Sequence, residues 1–315
     1  MSGKALRDLN TVAIPGLERK TESSSKGTLI KSQNGQMENL ENGQTKIHVP
    51  MVCGILNEEV GSNGVETVNE VEYIESENLT ELTSVDESLS TLLVRLESKD
   101  WVLLCESLNN VRQIAIYHKE KLLDMLASVV AMVVKSLKNP RSAVCKTAIM
   151  TSADIFKVYC DQIIDSLDPL LLQLLLKSSQ DKKFVCDAAE RALVSMTTWV
   201  SPSQLLPKLQ PYLKHRNPRI RAKASLCFCR SVPQLGVDGI RDYGIDKLIQ
   251  VAAAQLNDQL PESREAARKL VVELHSVFMA APPPPPPDDS WEGFCRSKLS
   301  PLSAQAILRL TTGGN

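Results

Sequence analysis

The stretch Lys214-His-Arg-Asn-Pro-Arg-Ile-Arg-Ala-Lys-Ala224 joins two segments that have the apolar periodicity of helices. Asn217-Pro218 is a turn signal. Proline suits the first residue of a helix because its φ already matches and its missing N–H is not needed there. Arg219, Arg221 and Lys223 follow on the first turns of the second helix, where the positive end of the helix dipole disfavours cations. A cationic helix start of this kind indicates an acidic partner.

The same helix–turn–helix unit recurs along the chain. Apolar spacing predicts paired helices over residues 86–96 and 104–115, 122–137 and 144–159, 163–176 and 184–199, 205–213 and 218–232, and 245–256 and 263–278. The second helices align on the pairs Leu104/Leu108, Val144/Ala148, Val185/Ala189, Ile220/Ala224 and Ser263/Ala267, whose starts lie 40, 41, 35 and 43 residues apart. A period of roughly 40 with paired helices is typical of HEAT repeats. The sequence therefore predicts an all-α solenoid of about five hairpins, since one hairpin cannot bury its own apolar face.

Composition divides the chain into three parts. Residues 1–85 carry 7 Lys and Arg against 13 Asp and Glu, and we predict a disordered acidic leader, with an irregular packed cap as the alternative. Residues 86–279 are the predicted repeat domain, and residues 86–281 carry 26 basic against 21 acidic side chains. Residues 280–315 are predicted to be a polyproline spacer and flexible tail, with one weak helical stretch over 300–310. The prolines at 282–287 are either a plain spacer or a ligand for an SH3- or profilin-like surface.

The sequence contains no recognisable catalytic or cofactor-binding pattern. Its 8 Cys form no Cys-x-x-Cys pair, its 4 His lack a partner at metal-ligand spacing, and phosphate-binding glycine motifs are absent. Most Cys lie in apolar helical patterns, which predicts structural thiols. No apolar run is long enough to span a bilayer, and the basic density expected of a nucleic-acid binder is missing. We therefore expect a non-enzyme without a cofactor, metal, nucleic-acid or membrane partner.

The turns inside the five hairpins are predicted to form one row, because stacked repeats place equivalent points along one edge. We call this row the ridge. Its candidate binding residues are Trp101, Lys138, Arg141, Lys182, Lys183, Arg216, Arg219, Arg221 and Arg264. A basic row fits an extended acidic partner, since complementary charge speeds and orients the encounter. Two alternatives stay open: the row is a solvated polar edge, or Trp101 caps the first repeat and is not an exposed anchor.

Several motifs in these turns resemble those of TOG domains. They are Ser98-Lys-Asp-Trp101 with Leu108, Arg112 and His118, then Asn139-Pro-Arg-Ser-Ala-Val144, the segment 177–185, and Arg216-Asn-Pro-Arg-Ile-Arg221. The resemblance covers about residues 86–278 and points to the TOG domains of the CLASP and crescerin microtubule regulators. One difference is Val102-Leu103-Leu104, where many members of the family carry a basic residue.

TOG domains bind the tubulin heterodimer through this ridge. The resemblance therefore implies that Trp101 inserts against β-tubulin. It also implies that Arg141, Lys182 and Lys183 follow the acidic surface of β-tubulin, and that Arg219, Arg221 and Arg264 reach α-tubulin. The expected function is non-catalytic binding of free tubulin or the microtubule lattice, with regulation of microtubule organisation or dynamics, in the cytoplasm and cytoskeleton. The alternative is a HEAT-repeat scaffold or adaptor for another acidic protein.

Overall fold

Five helical hairpins follow one another between residues 85 and 279 of the computed structural model, which describes residues 73–280 and 290–312. Their paired helices are α1 (Val85–Leu96) and α2 (Trp101–Tyr117), α4 (Leu126–Leu137) and α5 (Ser142–Tyr159), α6 (Leu167–Lys177) and α7 (Lys183–Trp199), α8 (Pro202–Leu209) and α9 (Pro218–Ser231), and α11 (Ile245–Leu256) and α12 (Pro261–Met279). Within those two ranges there is no β-strand, so the predicted all-α class is confirmed.

The remaining elements lie between and after the hairpins. Two further helices connect them, α3 (Lys119–Leu123) and α10 (Gly236–Tyr243), and two follow them, α13 (Trp291–Lys298) and α14 (Pro301–Thr312). Short 3-10 helices cover Ser76–Asn78, Cys160–Ser166, Gln210–Lys214 and Val232–Leu235. Residues 1–72 of the predicted leader and the prolines at 282–287 lie outside the described residues. The prediction that the leader is disordered as far as residue 85 was wrong, since the 3-10 helix Ser76–Asn78 lies within it and α1 begins at Val85.

Some predicted boundaries were wrong. The helix predicted over 122–137 is two helices, because Met125 leaves helical geometry with φ −109° and ψ 8°. The helix predicted from 163 begins as a 3-10 helix, preceded by the positive φ of 47° at Cys160. Helix α10 was not predicted, and it lies between Gly236 and Gly244, whose φ values of 69° and 103° are the left-handed conformations that glycine adopts without a Cβ penalty.

The predicted register of the second helices is confirmed by burial. The five leading residues are at most 6% exposed, and so are the five residues four positions later. Four of those later residues are alanines, which lets helix axes approach closely. The second helices pack in chain order, α2 on α5, α5 on α7, α7 on α9 and α9 on α12. One continuous apolar core therefore runs through all five hairpins.

A buried ion pair ties the chain before α1 to the first two second helices. The Arg112 side chain is fully buried, and its Nε donates to Asp154 Oδ2 at 2.6 Å. Its remaining N–H groups reach the Ile74 carbonyl at 2.7 Å and the Ser76 hydroxyl at 3.2 Å, and that hydroxyl donates to Asp154 Oδ1 at 2.6 Å. Tyr117 adds a hydrogen bond to the Leu79 carbonyl. We call residues 73–80 the N-terminal strap.

The predicted flexible tail was wrong for residues 290–312, which form α13 and α14 on the last hairpin. Trp291 is buried with its ring 5.2 Å from both the His275 and Phe278 rings and stacked on Phe294 at 5.6 Å. Its indole N–H donates to Thr311 Oγ1 at 3.2 Å. The end of a solenoid needs a cap because its last apolar face has no further repeat to cover it. Helices α13 and α14 supply that cover.

Trp291→Ala is expected to detach this cap while the five hairpins stay folded. Removing a buried tryptophan costs about 3–5 kcal/mol, and Trp291 supplies the ring contacts with His275 and Phe278 of α12. Limited proteolysis should then cut within 290–312 rapidly and leave a fragment ending near residue 280. Leu302→Ala, at an exposed position on α14, is the control and should resist as the wild type does. Equal protection of the Trp291 variant would contradict the capping role.

The cysteine thiols are expected to react at very different rates in the native protein. All seven described Cys are free, and burial raises the pKa of Cys227 to about 12 and of Cys295 to about 11. Burial also raises the pKa of Cys145. Because the thiolate is the nucleophile, iodoacetamide at pH 8 should label these three at least about tenfold more slowly than the partly exposed Cys160. Mass mapping with a denatured control tests this, and uniform labelling would refute it.

Candidate functional site

The five intra-hairpin turns lie in one row, as predicted, and contacts between neighbouring turns connect them. The Arg141 guanidinium stacks over the Trp101 ring at 4.9 Å, joining the first two turns. Lys182 Nζ donates to Ser142 Oγ at 3.2 Å and joins the third turn to the second. Further salt bridges, Arg219 to Asp181 and Arg221 to Asp258, connect turns three to four and four to five. The partners are 37 to 40 residues apart, which is the repeat period.

The same local device shapes most of these turns. In turns one, two, four and five, an Asp or Asn side chain accepts a hydrogen bond from the backbone N–H two residues further on. The pairs are Asp100 with Val102, Asn139 with Arg141, Asn217 with Arg219, and Asp258 with Leu260, at 2.9 to 3.1 Å. In turns one and four the Asp100 and Asn217 side chains are N-caps, which satisfy N–H groups that a helix start leaves unpaired. In turns two and five the bonded N–H belongs to the residue just before the helix.

Turns one and two combine an aromatic ring with exposed cations. Trp101 is the first residue of α2 and is half-buried against the core. Arg141 is exposed and covers the ring, so the indole does not project freely from the ridge. Lys138, in the same turn as Arg141, is also exposed. Neither cation has an acidic partner within the described part of the chain, so both charges are available at the surface.

Turn three carries the most exposed charges. Lys183 is 88% exposed and lies 3.3 Å from Asp187, while the exposed Lys182 contacts only a hydroxyl. Phe184 follows and is 46% exposed. Sequence reasoning missed this phenylalanine as a ridge residue. The signal was its place one residue before the buried register residue Val185, since adjacent helix positions do not share a face. The ridge therefore has a second apolar group about halfway along its length.

Turns four and five use most of their cations internally. Arg221 is 17% exposed, pairs with Asp258 at 2.6 Å and donates to the His215 carbonyl. Arg264 donates to the carbonyls of Asp258 and Gln259 at 2.8 and 2.9 Å. Arg219 pairs with the exposed Asp181, and Arg216 is exposed. The nine predicted residues thus lie in or next to the five connected turns, and Nε and Nη1 of Arg221 and Nη1 of Arg264 donate within the chain.

Two titratable groups near the ridge are shifted by their surroundings. Burial acts to raise the pKa of Asp258, but hydrogen bonds from Arg221 and from the Leu260 N–H outweigh it and lower that pKa below the ordinary value. At the second turn, Lys146 Nζ lies 3.7 Å from the centroid of the Tyr73 ring in the N-terminal strap. Burial lowers the pKa of Lys146. The lowered pKa of Asp258 makes that carboxylate a firmly ionised partner for Arg221.

The described ranges contain no feature that indicates a metal site or a membrane-spanning helix. No group of three or more His, Cys, Asp or Glu side chains there is arranged to hold a metal ion. None of the described helices is long and apolar enough to cross a bilayer. What the ridge offers is exposed cations and two aromatic rings on a rigid edge, which is the chemistry of a macromolecular contact.

The comparisons with known proteins agree with this architecture. The CLASP N-terminal family profile matches residues 112–282, more than half of the 315 residues. The chain belongs to the CLASP N-terminal family. The mouse protein “TOG array regulator of axonemal microtubules protein 1” is 28% identical over 206 residues, which are 64% of this chain and 12% of the mouse protein. The chain thus spans about an eighth of the length of that relative.

Solved structures show the same fold for this member of the CLASP N-terminal family. The TOG domain of C. elegans Zyg9 superposes with a TM-score of 0.53 at 16% identity, over 76% of this chain and 92% of that one. A structure described as “TOG-tubulin binding specificity promotes microtubule dynamics and mitotic spindle formation” has a TM-score of 0.52 at 14% identity, over 71% and 81% of the two chains. The predicted TOG-type HEAT solenoid is confirmed.

Asp258→Asn is expected to destabilise this family member by about 2 kcal/mol or more near neutral pH, since it leaves the largely buried Arg221 without its anion. Arg219→Ala, which breaks an exposed pair, should cost less than about 1 kcal/mol. Because the folded-state pKa of Asp258 is lowered, its stabilisation is present above the unfolded pKa of about 3.9 and is lost as pH falls through the folded value.

Urea unfolding of the wild type and both variants between pH 7 and pH 3 measures this. The gap between the wild type and the Asp258 variant should narrow toward pH 3. A gap that widens on acidification, or equal losses from the Asp258 and Arg219 changes, would contradict the assignment.

Proposed function

We propose that this chain binds tubulin, as the free heterodimer or in the microtubule lattice, through the ridge, and that it regulates microtubule organisation or dynamics without catalysis. The observation that carries the proposal is the group of exposed cations at turns two and three, Lys138, Arg141, Lys182 and Lys183, beside the aromatic residues Trp101 and Phe184. The candidate residues of turns four and five, Arg216, Arg219, Arg221 and Arg264, complete the proposed surface.

The shape of the ridge supports a large partner. Neighbouring helices pack about 8–10 Å apart, so five turns in a row extend over roughly 40 Å. That length exceeds a small ligand and suits the surface of a globular protein. The exposed lysines and arginines favour an acidic surface, since charge complementarity raises association rates and fixes orientation. Asp181 and Asp187 offset part of this charge, so we expect moderate and salt-sensitive affinity.

The names of the relatives support the choice of partner. The mouse relative is named as a TOG array regulator of axonemal microtubules, and one structural neighbour is described in terms of TOG–tubulin binding. By extension we place this chain in the cytoplasm on the microtubule cytoskeleton. The array is part of the relative's name, and the matched region is 12% of that protein. The prolines at 282–287 stay a candidate ligand for an SH3- or profilin-like domain.

One observation favours the alternative of a HEAT scaffold for another acidic protein. Trp101 lies beneath Arg141, and Arg221 and Arg264 are held by internal partners, so part of the predicted contact surface is already engaged. Tubulin binding then requires one of two arrangements. Either the Arg141 side chain moves away from the indole of Trp101, or the stacked Arg141 and Trp101 side chains contact tubulin together. The two readings differ in whether tubulin itself is bound.

Charge reversal in the third turn tests the electrostatic part of the proposal. Lys182→Glu with Lys183→Glu should weaken binding of soluble tubulin about tenfold and flatten its salt dependence, because each exposed pair contributes up to about 1 kcal/mol and reversal makes it repulsive. Helix content should not change, since both side chains are exposed. The matched control is Lys157→Glu with Lys298→Glu, equally exposed and away from the ridge. Gel filtration and microtubule co-sedimentation across salt concentrations measure binding.

Truncation of the two aromatic residues tests the apolar part. Trp101→Ala should lose about 2 kcal/mol or more of binding free energy, roughly thirtyfold in affinity, as a hot-spot residue does. Phe184→Ala should lose less, with unchanged stability, because Phe184 lies on the surface. Circular dichroism on each variant separates binding from folding. If the aromatic and lysine variants bind tubulin as tightly as the wild type, the ridge is not the binding surface. If the wild-type chain binds no tubulin, the scaffold function is the remaining proposal.

A further inference from the structure

A groove of about 490 Å³ opens between the fourth and fifth hairpins, beside the 3-10 helix that follows α8. Helix α10 lies between these two hairpins and packs on α11 and α12, while the second helices α9 and α12 stay in direct contact. The two sides of the groove are the 3-10 helix Gln210–Lys214 and helix α11. Gln255 bridges them at the floor, with its Nε2 donating to the Leu213 carbonyl at 3.1 Å.

The groove is lined by three kinds of group. Its apolar residues are Leu213, Tyr243, Val251 and Ala254. Four side-chain amides face it besides the bridging Gln255: Gln210, Gln250, Asn257 and Gln259. Its cations are Lys214, Lys247 and Arg221, and only Arg221 is neutralised, by Asp258. Lys214 and Lys247 are exposed and have no acidic partner in the described ranges, so the groove carries two free positive charges.

The dimensions indicate the form of a ligand. Along α11 the lining runs from Lys247 to Gln255, which is about 12 Å at 1.5 Å per residue, and it continues into the following turn as far as Gln259. An extended peptide advances about 3.3 Å per residue, so about four residues match the α11 side of the groove. Amide side chains offer both a donor and an acceptor, which suits the backbone of an extended peptide whose own N–H and C=O groups are unpaired.

We propose that this groove is a second binding site, for an extended acidic peptide of at least about four residues. Glutamate side chains would pair with Lys214 and Lys247 through their carboxylates. Their methylene groups would pack on Val251 and Ala254. The amides of Gln210, Gln250 and Gln259 would hold the peptide backbone.

This site overlaps the ridge at one end only. Lys214 belongs to turn four and Asp258 and Gln259 belong to turn five, where Arg221 is already paired, whereas the exposed ridge cations Lys182 and Lys183 belong to the third turn. Lys247, Gln250, Val251 and Ala254 lie on α11, outside the turns. The proposal therefore stands whether or not the ridge binds tubulin. A partner bound to the ridge can also place an acidic segment in the groove.

The test is fluorescence anisotropy of a fluorescein-labelled hexaglutamate peptide titrated with the full chain. Hexaglutamate should bind and dissociate with added salt, and hexaglutamine of equal length should bind at least tenfold more weakly. Lys214→Glu with Lys247→Glu should lower the hexaglutamate affinity at least tenfold. The exposed pair Lys157→Glu with Lys298→Glu, with the same change in net charge, should change it less than twofold.

A second variant tests the groove itself and not its charge. Ala254 is an exposed residue of α11 that lines the groove, so Ala254→Trp fills it without altering charge. This change should weaken hexaglutamate binding at least tenfold, while Ala254→Ser should stay within twofold of the wild type. Circular dichroism checks folding, and Lys214→Gln with Lys247→Gln replaces the reversal if that variant is unstable.

Several outcomes would overturn the proposal. One is hexaglutamate binding by the Ala254→Trp variant as tight as that of the wild type, and another is equal binding of hexaglutamine. A third is a loss from Lys182→Glu with Lys183→Glu as large as the loss from the groove lysines, which would place the peptide on the ridge. Tubulin binding by the groove variants is measured in parallel, so a failure of the groove and a failure of the ridge give different patterns.

Discussion

Each hairpin of this chain has an apolar face that only the next hairpin can cover. This constraint sets the rest of the structure. A side chain in one repeat meets the equivalent side chain of the next repeat about forty residues away, and the buried alanines of the second helices let those helices approach. The repeat period is thus also the separation along the sequence between residues that contact each other in the fold. The same stacking that builds the core places the five turns in a row.

The row also decides which charges remain available. Where a turn places an acidic residue one repeat away from a cation, the pair closes within the chain, as with Arg221 and Asp258. Where the neighbouring turn offers only a ring or a hydroxyl, as for Arg141 and Lys182, the charge stays at the surface. The balance between internal salt bridges and exposed cations therefore changes along the ridge: Arg221 and Arg264 at turns four and five have partners within the chain, whereas Lys138, Arg141 and Lys182 have no acidic partner among the described residues.

The sequence was sufficient for the regular part of this fold and insufficient for its irregular parts. The pattern of Val144 with Ala148 and its equivalents predicted the second helices, because burial on one face repeats at helical spacing. Helix α10 and the strap have no such repeat, since each is held by particular partners, as Ile74 is by Arg112. Trp291 was missed for the same reason. On the ridge, the types of the residues and their positions in the turns were predictable. The salt bridge between Arg221 and Asp258 was not, because the two residues are 37 positions apart.

The N-terminal strap has a mechanical consequence. Its carbonyls at Ile74 and Leu79 are held by α2, and Lys146 of α5 lies against the Tyr73 ring, so the strap crosses from one repeat to the next. Tension on the chain before Tyr73 would load the Arg112 and Asp154 pair and these hydrogen bonds before it reached α1. Force would therefore enter the fold through α2 of the first hairpin and α5 of the second. Helix α1, at the end of the solenoid, is thereby bypassed.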